Sequence, residues 1–317
     1  MSCGGTAICH MAGEHLTGWI MTSPEPPAVA RRRVRLALRA AREARGFTQQ
    51  HVADELDWSL SKVNRIEKGD VTVSKTDLLA LLELFGVDDD ELIDDLVRAA
   101  RSSRQRGWWD EPRFREHLTP PMLQLLQFET EATAIRVFQP TLVTGPFQTR
   151  AYAQAVLDFW QPELSSVVRE ARLETRLMRG EQLLSRADPP DIYFIFDESL
   201  LHRPVGGVPV MAEQLRHLLL IMERPTVHVR VVPSAAGALV AMLGPFLICD
   251  FGEEENAVLY RESLLLDEVV HSAETIGRHR RYFEHLWQES LSETESVRLI
   301  EARADHMYSR MRRDTSG

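Results

Sequence analysis

The stretch TQQHVADELDWSLSKVNRIEKGD, Thr48 to Asp70, decides the fold of the first part of the chain. A Ser or Thr hydroxyl accepts a hydrogen bond from an unpaired N–H at a helix start, so Thr48 and Ser59 predict the beginnings of two short helices. A tight turn is predicted between them at residues 57–58. Gly69 is placed to end the second helix in the left-handed conformation. The stretch therefore predicts a helix, a turn and a second helix.

Each of the two helices has one apolar face at helical spacing. The inward positions are Val52, Ala53 and Leu56 in the first helix, and Val63 and Ile66 in the second. Packing leaves a second face of the second helix free, and this face carries Leu60, Ser61 and Arg65. We expect that face to enter the major groove of DNA.

Two motifs carry a family resemblance: T-Q-x-x-V-A at residues 48–53 and W-S-x-S-K-V-x-R-I-E-x-G at residues 58–69. They resemble the XRE-type helix-turn-helix of phage repressors and many bacterial regulators. The resemblance implies an all-α, five-helix DNA-binding domain, and a buried ion pair between Arg42 and Glu67. An ordinary helical hairpin with a solvated polar face is the alternative.

Position along the helices assigns the expected DNA contacts. Arg65 is predicted to contact a base, because Arg pairs bidentately with guanine. The full set of predicted DNA-binding residues is Arg33, Gln49, Ser59, Leu60, Ser61, Lys62, Asn64 and Arg65.

The charge distribution supports DNA binding despite a formal net charge of −10. Lys and Arg contacts to phosphates dominate affinity for DNA. Residues 31–69 contain ten Lys or Arg and five Asp or Glu, whereas residues 70–96 contain one Lys and nine acids. The acidic run Asp88–Glu91 is expected to face away from DNA or to begin a helix, where acids suit the helix dipole.

The length of 317 residues predicts more than one domain. Residues 1–27 predict a disordered or non-native N-terminal extension, with Met21 as a candidate true start, because they mix Gly, Ser and Pro without periodicity. The helix-turn-helix domain is predicted over residues 28–100, a polar linker over 101–107, and an α+β domain with one small sheet over 108–317.

The α+β prediction rests on a change of period along the chain. Helices are predicted over Leu118–Phe138, Phe147–Trp160 and Val167–Leu184. The runs DIYFIFD, TVHVRVVP, PFLICDF and AVLYRE predict strands, because they are rich in β-branched and aromatic residues. A helix, MAEQLRHLLLIM, is predicted between the first two strands, and two more helices are predicted over Thr275–Gln288 and Glu293–Met311.

This second part is similar to the domain of unknown function that follows the XRE-type domain in many actinobacterial regulators, often described as antitoxin-like. The motifs that carry the similarity are Gly107–Trp109, Val143–Thr149 with Tyr152, Arg176 with Arg179, Asp197–Glu198 with Arg203, Val205–Gly207, Gln214 and Val232–Pro233. The chain departs from the family pattern at V-T-G-P-F-Q-T and at Gly180. The similarity implies a transcriptional regulator, often encoded beside a small partner protein.

No catalytic set is evident, so we expect no enzyme and no cofactor. The S-x-x-K match at residues 59–62 lies in the predicted recognition helix and lacks its companion motifs. Cys3, Cys9 and Cys249 have no repeated spacing, which argues against a disulfide framework or a metal site. Asp197, Glu198 and His202 are the best acid/base group, with helix capping or pairing to Arg203 as the alternative.

We therefore expect a cytoplasmic, sequence-specific DNA-binding regulator that acts as a homodimer on pseudo-palindromic double-stranded DNA. Its C-terminal domain is expected to bind a small effector or a neighbour-encoded protein. The residues predicted to form that site are Gln148, Thr149, Asp197, Glu198 and Arg203. The alternative is an antitoxin-like module that sequesters its partner and binds DNA only for autoregulation. No membrane partner is expected, since no apolar run approaches the length of a membrane helix.

Overall fold

A computed structural model of the chain describes residues 27–69, 71–104, 107–159, 163–236, 240, 242–262 and 266–314. The predicted N-terminal extension, with Met21, Cys3 and Cys9, lies outside these residues except for Pro27, the first residue of a helix. We refer to residues 27–104 as the N-terminal region and to residues 107–314 as the C-terminal region.

Five α-helices form the described part of the N-terminal region, in agreement with the predicted fold class. They are α1 (Pro27–Ala44), α2 (Gln49–Glu55), α3 (Leu60–Lys68), α4 (Lys75–Leu84) and α5 (Asp90–Ser102). The hydroxyls of Thr48, Ser59 and Ser74 accept hydrogen bonds from backbone N–H groups three residues later and begin α2, α3 and α4. Gly69 ends α3 with a φ of 80°.

One apolar core holds these helices together. It contains the inward residues of each helix, among them Val34, Leu38, Val52, Ala53, Val63, Ile66, Leu78 and Leu96. Burying an aliphatic side chain of this size contributes about 1.5–3 kcal/mol. Packing therefore fixes which face of α3 remains exposed.

The C-terminal region combines helices with a single six-stranded sheet. Its helices are α6 (Pro112–Arg115), α7 (Pro120–Glu129), α8 (Arg150–Asp158), α9 (Ser166–Ser185), α10 (Val208–Met222), α11 (Ala273–Glu289) and α12 (Glu293–Asp314). Its strands are β1 (Ala134–Phe138), β2 (Asp191–Asp197), β3 (Val227–Val232), β4 (Phe246–Phe251), β5 (Glu253–Arg261) and β6 (Glu268–Val270).

The strand order is β3-β2-β1-β4-β5-β6. The β1–β2 and β2–β3 pairs are parallel, and the other pairs are antiparallel. Side chains alternate between the faces of a strand, so Phe194 and Phe196 pack towards α7, α8, α9, α10 and α12, whereas Ile195 packs on the opposite face with α11. The predicted α+β class with one sheet is confirmed.

One helix prediction was wrong in this region. The helix predicted over Leu118–Phe138 ends at Glu129, and Ala134–Phe138 form β1 at the centre of the sheet. Ile135 and Val137 are buried at a spacing of two between the neighbouring strands β2 and β4. Tertiary pairing therefore overrides the local pattern there. Strand β6 was not predicted.

The two regions contact each other through α1. Arg31 Nη1 donates to Gln127 Oε1 on α7 at 2.6 Å, while Arg31 Nη2 donates within the N-terminal region, to the carbonyl of Ser103 at 2.9 Å. His271 lies beside Arg32, Arg35 and the ring of Phe128 at the same contact. The start of α1 is therefore used for packing against α7.

Candidate functional site

The exposed face of α3 carries the residues predicted to touch DNA. Val63 and Ile66 are buried against the core, which leaves Ser59, Leu60, Ser61 and Arg65 exposed and Asn64 half-buried. Arg65 forms no ion pair with any residue that the structure describes. Its guanidinium is thus available to an external acceptor, and the planar fork of donors matches the acceptor edge of guanine.

A buried network holds α3 against α1. Arg42 Nε donates to Glu67 Oε1 at 2.6 Å, and Nη2 donates to Oε2 at 3.0 Å. Gln49 Nε2 donates to the same carboxylate at 2.7 Å, and Arg42 Nη1 donates to the carbonyl of Phe47 at 2.7 Å. The Arg42 and Glu67 side chains are only 10% and 8% exposed. The hydrogen bond to Glu67 raises the pKa of Arg42, although burial opposes it.

Three of the residues predicted to contact DNA form hydrogen bonds or ion pairs with other residues of the protein. Gln49 donates to Glu67, and Arg33 forms an ion pair with Asp95 on α5. Lys62 Nζ lies 2.8 Å from Asp77 Oδ1 and 3.5 Å from the centroid of the Trp58 ring. A phosphate contact by Arg33 or Lys62 would therefore have to replace an ion pair or share it.

Sequence reasoning missed Lys75 at the first position of α4. The Lys62–Asp77 pair joins the first turn of α4 to the first half of α3, and Lys75 lies in that turn, two residues before Asp77. Lys75 is exposed and makes no ion pair with a residue of the described part of the chain. The sequence signal was available: a Lys directly after the capping Ser74 marks a basic helix start.

A cavity in the C-terminal region lies between the sheet, α9 and the loop of residues 142–148. Its inner part has a volume of about 70 Å³ and is lined by Gln148, Arg176, Arg179 and Tyr260, with apolar side chains around them. An outer cleft of about 390 Å³ shares Met122, Arg176, Arg179 and Glu262 with it. The loop approaches α9 closely because Gly180 has no side chain: a Cβ there would lie 2.3 Å from the carbonyl oxygen of Pro146.

The residues proposed to share one ligand site do not meet in the structure. Gln148 lines the inner cavity, but Thr149 caps α8 and its N–H donates to Gln214 Oε1 at 2.7 Å. Asp197 caps the following 3-10 helix, and Glu198 accepts two hydrogen bonds from Ser234. Neither they nor Arg203 lines the cavity. Asp197 and Glu198 thus both accept hydrogen bonds from residues of the protein, and their assignment to a ligand site stays a prediction.

Two other kinds of feature, a metal site and a membrane-spanning helix, can be assessed in the described residues. Within the described ranges, no cluster of His, Cys, Asp and Glu is arranged to hold a metal ion. No described helix is both long enough and apolar enough to cross a bilayer.

An exposed polar face on the second of two capped, tightly joined helices defines a helix-turn-helix protein, the class to which many DNA-binding regulators belong. Residues 34–96 match the model of a helix-turn-helix domain. Residues 122–302, more than half of the chain, match a domain of unknown function (DUF5753), and the chain belongs to that family. No curated protein and no solved structure matches the chain.

Proposed function

We propose that this protein is a sequence-specific, XRE-type transcriptional regulator whose α3 reads a DNA operator. The observation that carries the proposal is the exposed Arg65 on a helix fixed from behind by the buried Arg42–Glu67 pair. A rigid helix with a free guanidinium is suited to base readout, because a bidentate Arg–guanine pair needs a defined geometry.

The protein acts as a homodimer on pseudo-palindromic DNA. Two recognition helices related by a two-fold axis meet the same face of the duplex about 34 Å apart, one helical turn. Phosphate contacts come from the exposed Lys75, from Ser59 and, after exchange of its ion pair with Asp77, from Lys62. These contacts position the helix and add no sequence preference.

The C-terminal region sets DNA occupancy through a bound effector or a neighbour-encoded protein. The cavity beside Gln148 supports this proposal, since it contains the buried Gln148 Oε1 atom, which has no hydrogen-bond partner among the described residues. The contact of Arg31 with α7 provides a physical connection from this region to α1 of the DNA-binding helices.

Genome-wide mapping of sites bound by the full-length protein tests the proposal. We expect a small number of sites that share an inverted repeat, and an affinity for that repeat that falls steeply with salt. Binding scattered without a shared sequence would contradict it. Tight binding to the product of the neighbouring gene without any sequence preference for DNA would instead favour the antitoxin-like module.

A further inference from the structure

We propose that the C-terminal cavity binds a small zwitterionic amino-carboxylate, with the carboxylate on Arg176 and Arg172 and the ammonium group against Glu262 and Asp267. The proposal rests on the proposed function only in treating this molecule as the effector. Binding itself can be measured without DNA.

The size and position of the site fit a small molecule. The inner cavity and the outer cleft meet at Met122, Arg176, Arg179 and Glu262, so a ligand can occupy both. Their volumes of about 70 Å³ and about 390 Å³ together fall within the usual range of small-molecule sites. A macromolecular partner would not enter such a site, whereas a molecule the size of an amino acid would.

The wall formed by α9 is basic. Arg172, Arg176 and Arg179 lie at spacings of four and three residues and all line the cleft, so they share one helix face. Arg179 is fully matched, because its Nε and Nη2 donate to both oxygens of Glu129 at 2.8 and 2.6 Å. The positive charge of Arg179 is therefore neutralised by Glu129.

Arg176 and Arg172 differ from Arg179 in this respect. Arg176 Nη1 donates only to the carbonyl of Arg172 at 3.2 Å, and neither side chain forms an ion pair with a residue in the described ranges. Two like charges four residues apart destabilise a helix unless an anion neutralises them. Burial is the main reason that the pKa of Arg176 is lowered to about 10; the nearby Glu262 charge opposes the shift, and Arg179 and Arg172 add to it. A bound carboxylate would repay this desolvation.

The opposite wall is acidic, which makes a simple anion a poor fit. Glu163, Glu262 and Asp267 line the outer cleft, and none of them forms an ion pair with Arg172 or Arg176 in the described structure, although the Glu262 charge raises the pKa of Arg176. Glu262 accepts a hydrogen bond from Gln139 Nε2 at 2.9 Å, and Asp267 accepts one from Thr119 at 3.4 Å. A ligand that carries both charges satisfies both walls, whereas a phosphate or a dicarboxylate would place negative charge against these three carboxylates.

The inner cavity adds hydrogen-bonding atoms at an apolar end. Gln148 Nε2 donates to the carbonyl of Val143 at 2.7 Å, so its Oε1 is the free end of the amide, and this buried oxygen has no partner in the described structure. Tyr260 Oη is also buried, beside the Asp267 carboxylate, and burial together with the charges of Asp267 and Glu262 keeps the pKa of this phenol well above its usual range. Most of the remaining lining is apolar, with Leu125, Leu142, Val156 and Leu247 among it, and Gln139 and Thr144 add two polar side chains. A short side chain with a donor or acceptor fits this end.

Titration calorimetry of the full-length protein, with each of the twenty standard amino acids as a probe, tests the proposal. The best-binding amino acid is then compared with its amine analogue, which lacks the carboxylate, and with its carboxylate analogue, which lacks the amine. Removal of either group should weaken binding at least tenfold, which corresponds to about 1.4 kcal/mol. Inorganic phosphate is the comparison probe for a plain anion site.

Variants separate a binding role of Arg176 from a structural one. Arg176→Gln should weaken binding at least tenfold without lowering the melting temperature of the unliganded protein, because no ion pair is lost. Glu262→Gln should weaken binding of the amino acid but not of its carboxylate analogue. Arg278→Gln is the matched control, since Arg278 is exposed on α11 and pairs only with Glu274. This variant should bind like the parent.

The outcomes are distinct. Failure of every amino acid to bind below about 10 mM, equal binding of the carboxylate analogue, or unchanged binding by Arg176→Gln would overturn the inference. So would tighter binding of phosphate than of any amino acid. If the protein binds an amino acid but selects no DNA sequence, the ligand site is supported and the proposed function is contradicted. If it binds DNA sequence-selectively but binds no amino acid, the proposed function is supported and the ligand site is contradicted.

Discussion

Among the described residues, the N-terminal and C-terminal regions differ in where they hold polar groups that other residues leave incompletely paired. In the N-terminal region, Arg65 and Lys75 are on the surface, and the buried Arg42 is fully matched by Glu67. In the C-terminal region, Arg176 and the Oε1 atom of Gln148 line a cavity. A partner as large as a DNA duplex needs an open face, whereas a small molecule must be enclosed to gain enough contacts.

The contrast explains the division of work that we propose. The open face of α3 depends on rigidity from behind, so damage to its support should have the largest effect. The cavity depends on the close approach of a loop to α9, so its disruption should have an intermediate effect. The contact between the regions should respond to pH, and a single exposed side chain should affect only recognition.

Glu67→Ala should cause the largest loss. It leaves the buried Arg42 guanidinium without its carboxylate and removes the acceptor of Gln49. Stranding one member of a buried pair costs about 3–5 kcal/mol, a large share of the stability of a small domain. We expect DNA binding to be lost because the N-terminal helices unfold. Circular dichroism during thermal denaturation measures this unfolding.

Glu43→Ala is the control for that experiment. Glu43 is exposed and lies 3.6 Å from the same Arg42 side chain, so its removal should leave the melting temperature close to that of the parent, because exposed ion pairs contribute little to stability. If Glu67→Ala melts like Glu43→Ala, the buried pair does not support α3 and the first half of the comparison is broken.

Gly180→Ala should have the next largest effect. The added methyl group would lie 2.3 Å from the carbonyl oxygen of Pro146, so α9 and the loop at the cavity must separate. Such overpacking costs about 1–3 kcal/mol. Chemical denaturation should show this loss as a lower midpoint.

Gly277→Ala gives the opposite sign in the same region. Gly277 is inside α11, and the nearest atom to its added methyl group would be the end of the Arg281 side chain at 3.7 Å. Removing a Gly from a helix interior should stabilise the protein by about 0.5–1 kcal/mol. Equal behaviour of the two variants would show that the loop has room to move and that the cavity is less constrained than we describe.

His271 should make the contact between the regions sensitive to acid. Burial, together with the charges of Arg35 and Arg32 on α1, lowers the pKa of His271 to about 3. Below pH 6.5 the unfolded chain protonates this side chain while the folded protein does not, so its stabilising contribution is complete above pH 6.5 and is lost between pH 6.5 and pH 3. Carboxylates also titrate in this range, which requires a matched variant.

His271→Asn supplies that comparison. Urea unfolding at pH 7.5, 5.5 and 4.5 should show a smaller loss of unfolding free energy for the variant than for the parent. Parallel loss in the two proteins would mean that His271 is accessible to protons in the folded state, and that the contact with α1 is looser than the structure shows.

The helix starts of the N-terminal region could be predicted from sequence because their signals are local. Thr48, Ser59 and Gly69 each act within a few residues of their own position, and the structure places caps at all three. The apolar spacing of Val63 and Ile66 likewise fixed the exposed face of α3, because helix periodicity alone determines it. The ion pair between Lys62 and Asp77 could not be predicted from the sequence, because it depends on how α4 packs against α3.

The C-terminal region was less predictable because its features depend on distant residues. Strand β1 is defined by pairing with β2 and β4, and both of these strands are more than fifty residues away from it in the sequence. The motif residue Arg176 was noted, but nothing local shows that it faces Tyr260 across a cavity while Arg179 is neutralised by Glu129. Asp197 and Glu198 looked like site residues because capping carboxylates and ligand-binding carboxylates share one sequence pattern.

The central claim is that the exposed face of α3 reads bases, and paired DNA-binding titrations of Arg65→Ala and Lys62→Ala on the bound repeat and on random DNA test it most directly. We expect Arg65→Ala to lose about 1–3 kcal/mol of discrimination between the two DNAs. Lys62→Ala should weaken both alike and reduce the salt slope by about one. Equal loss on both DNAs for Arg65→Ala would contradict the claim.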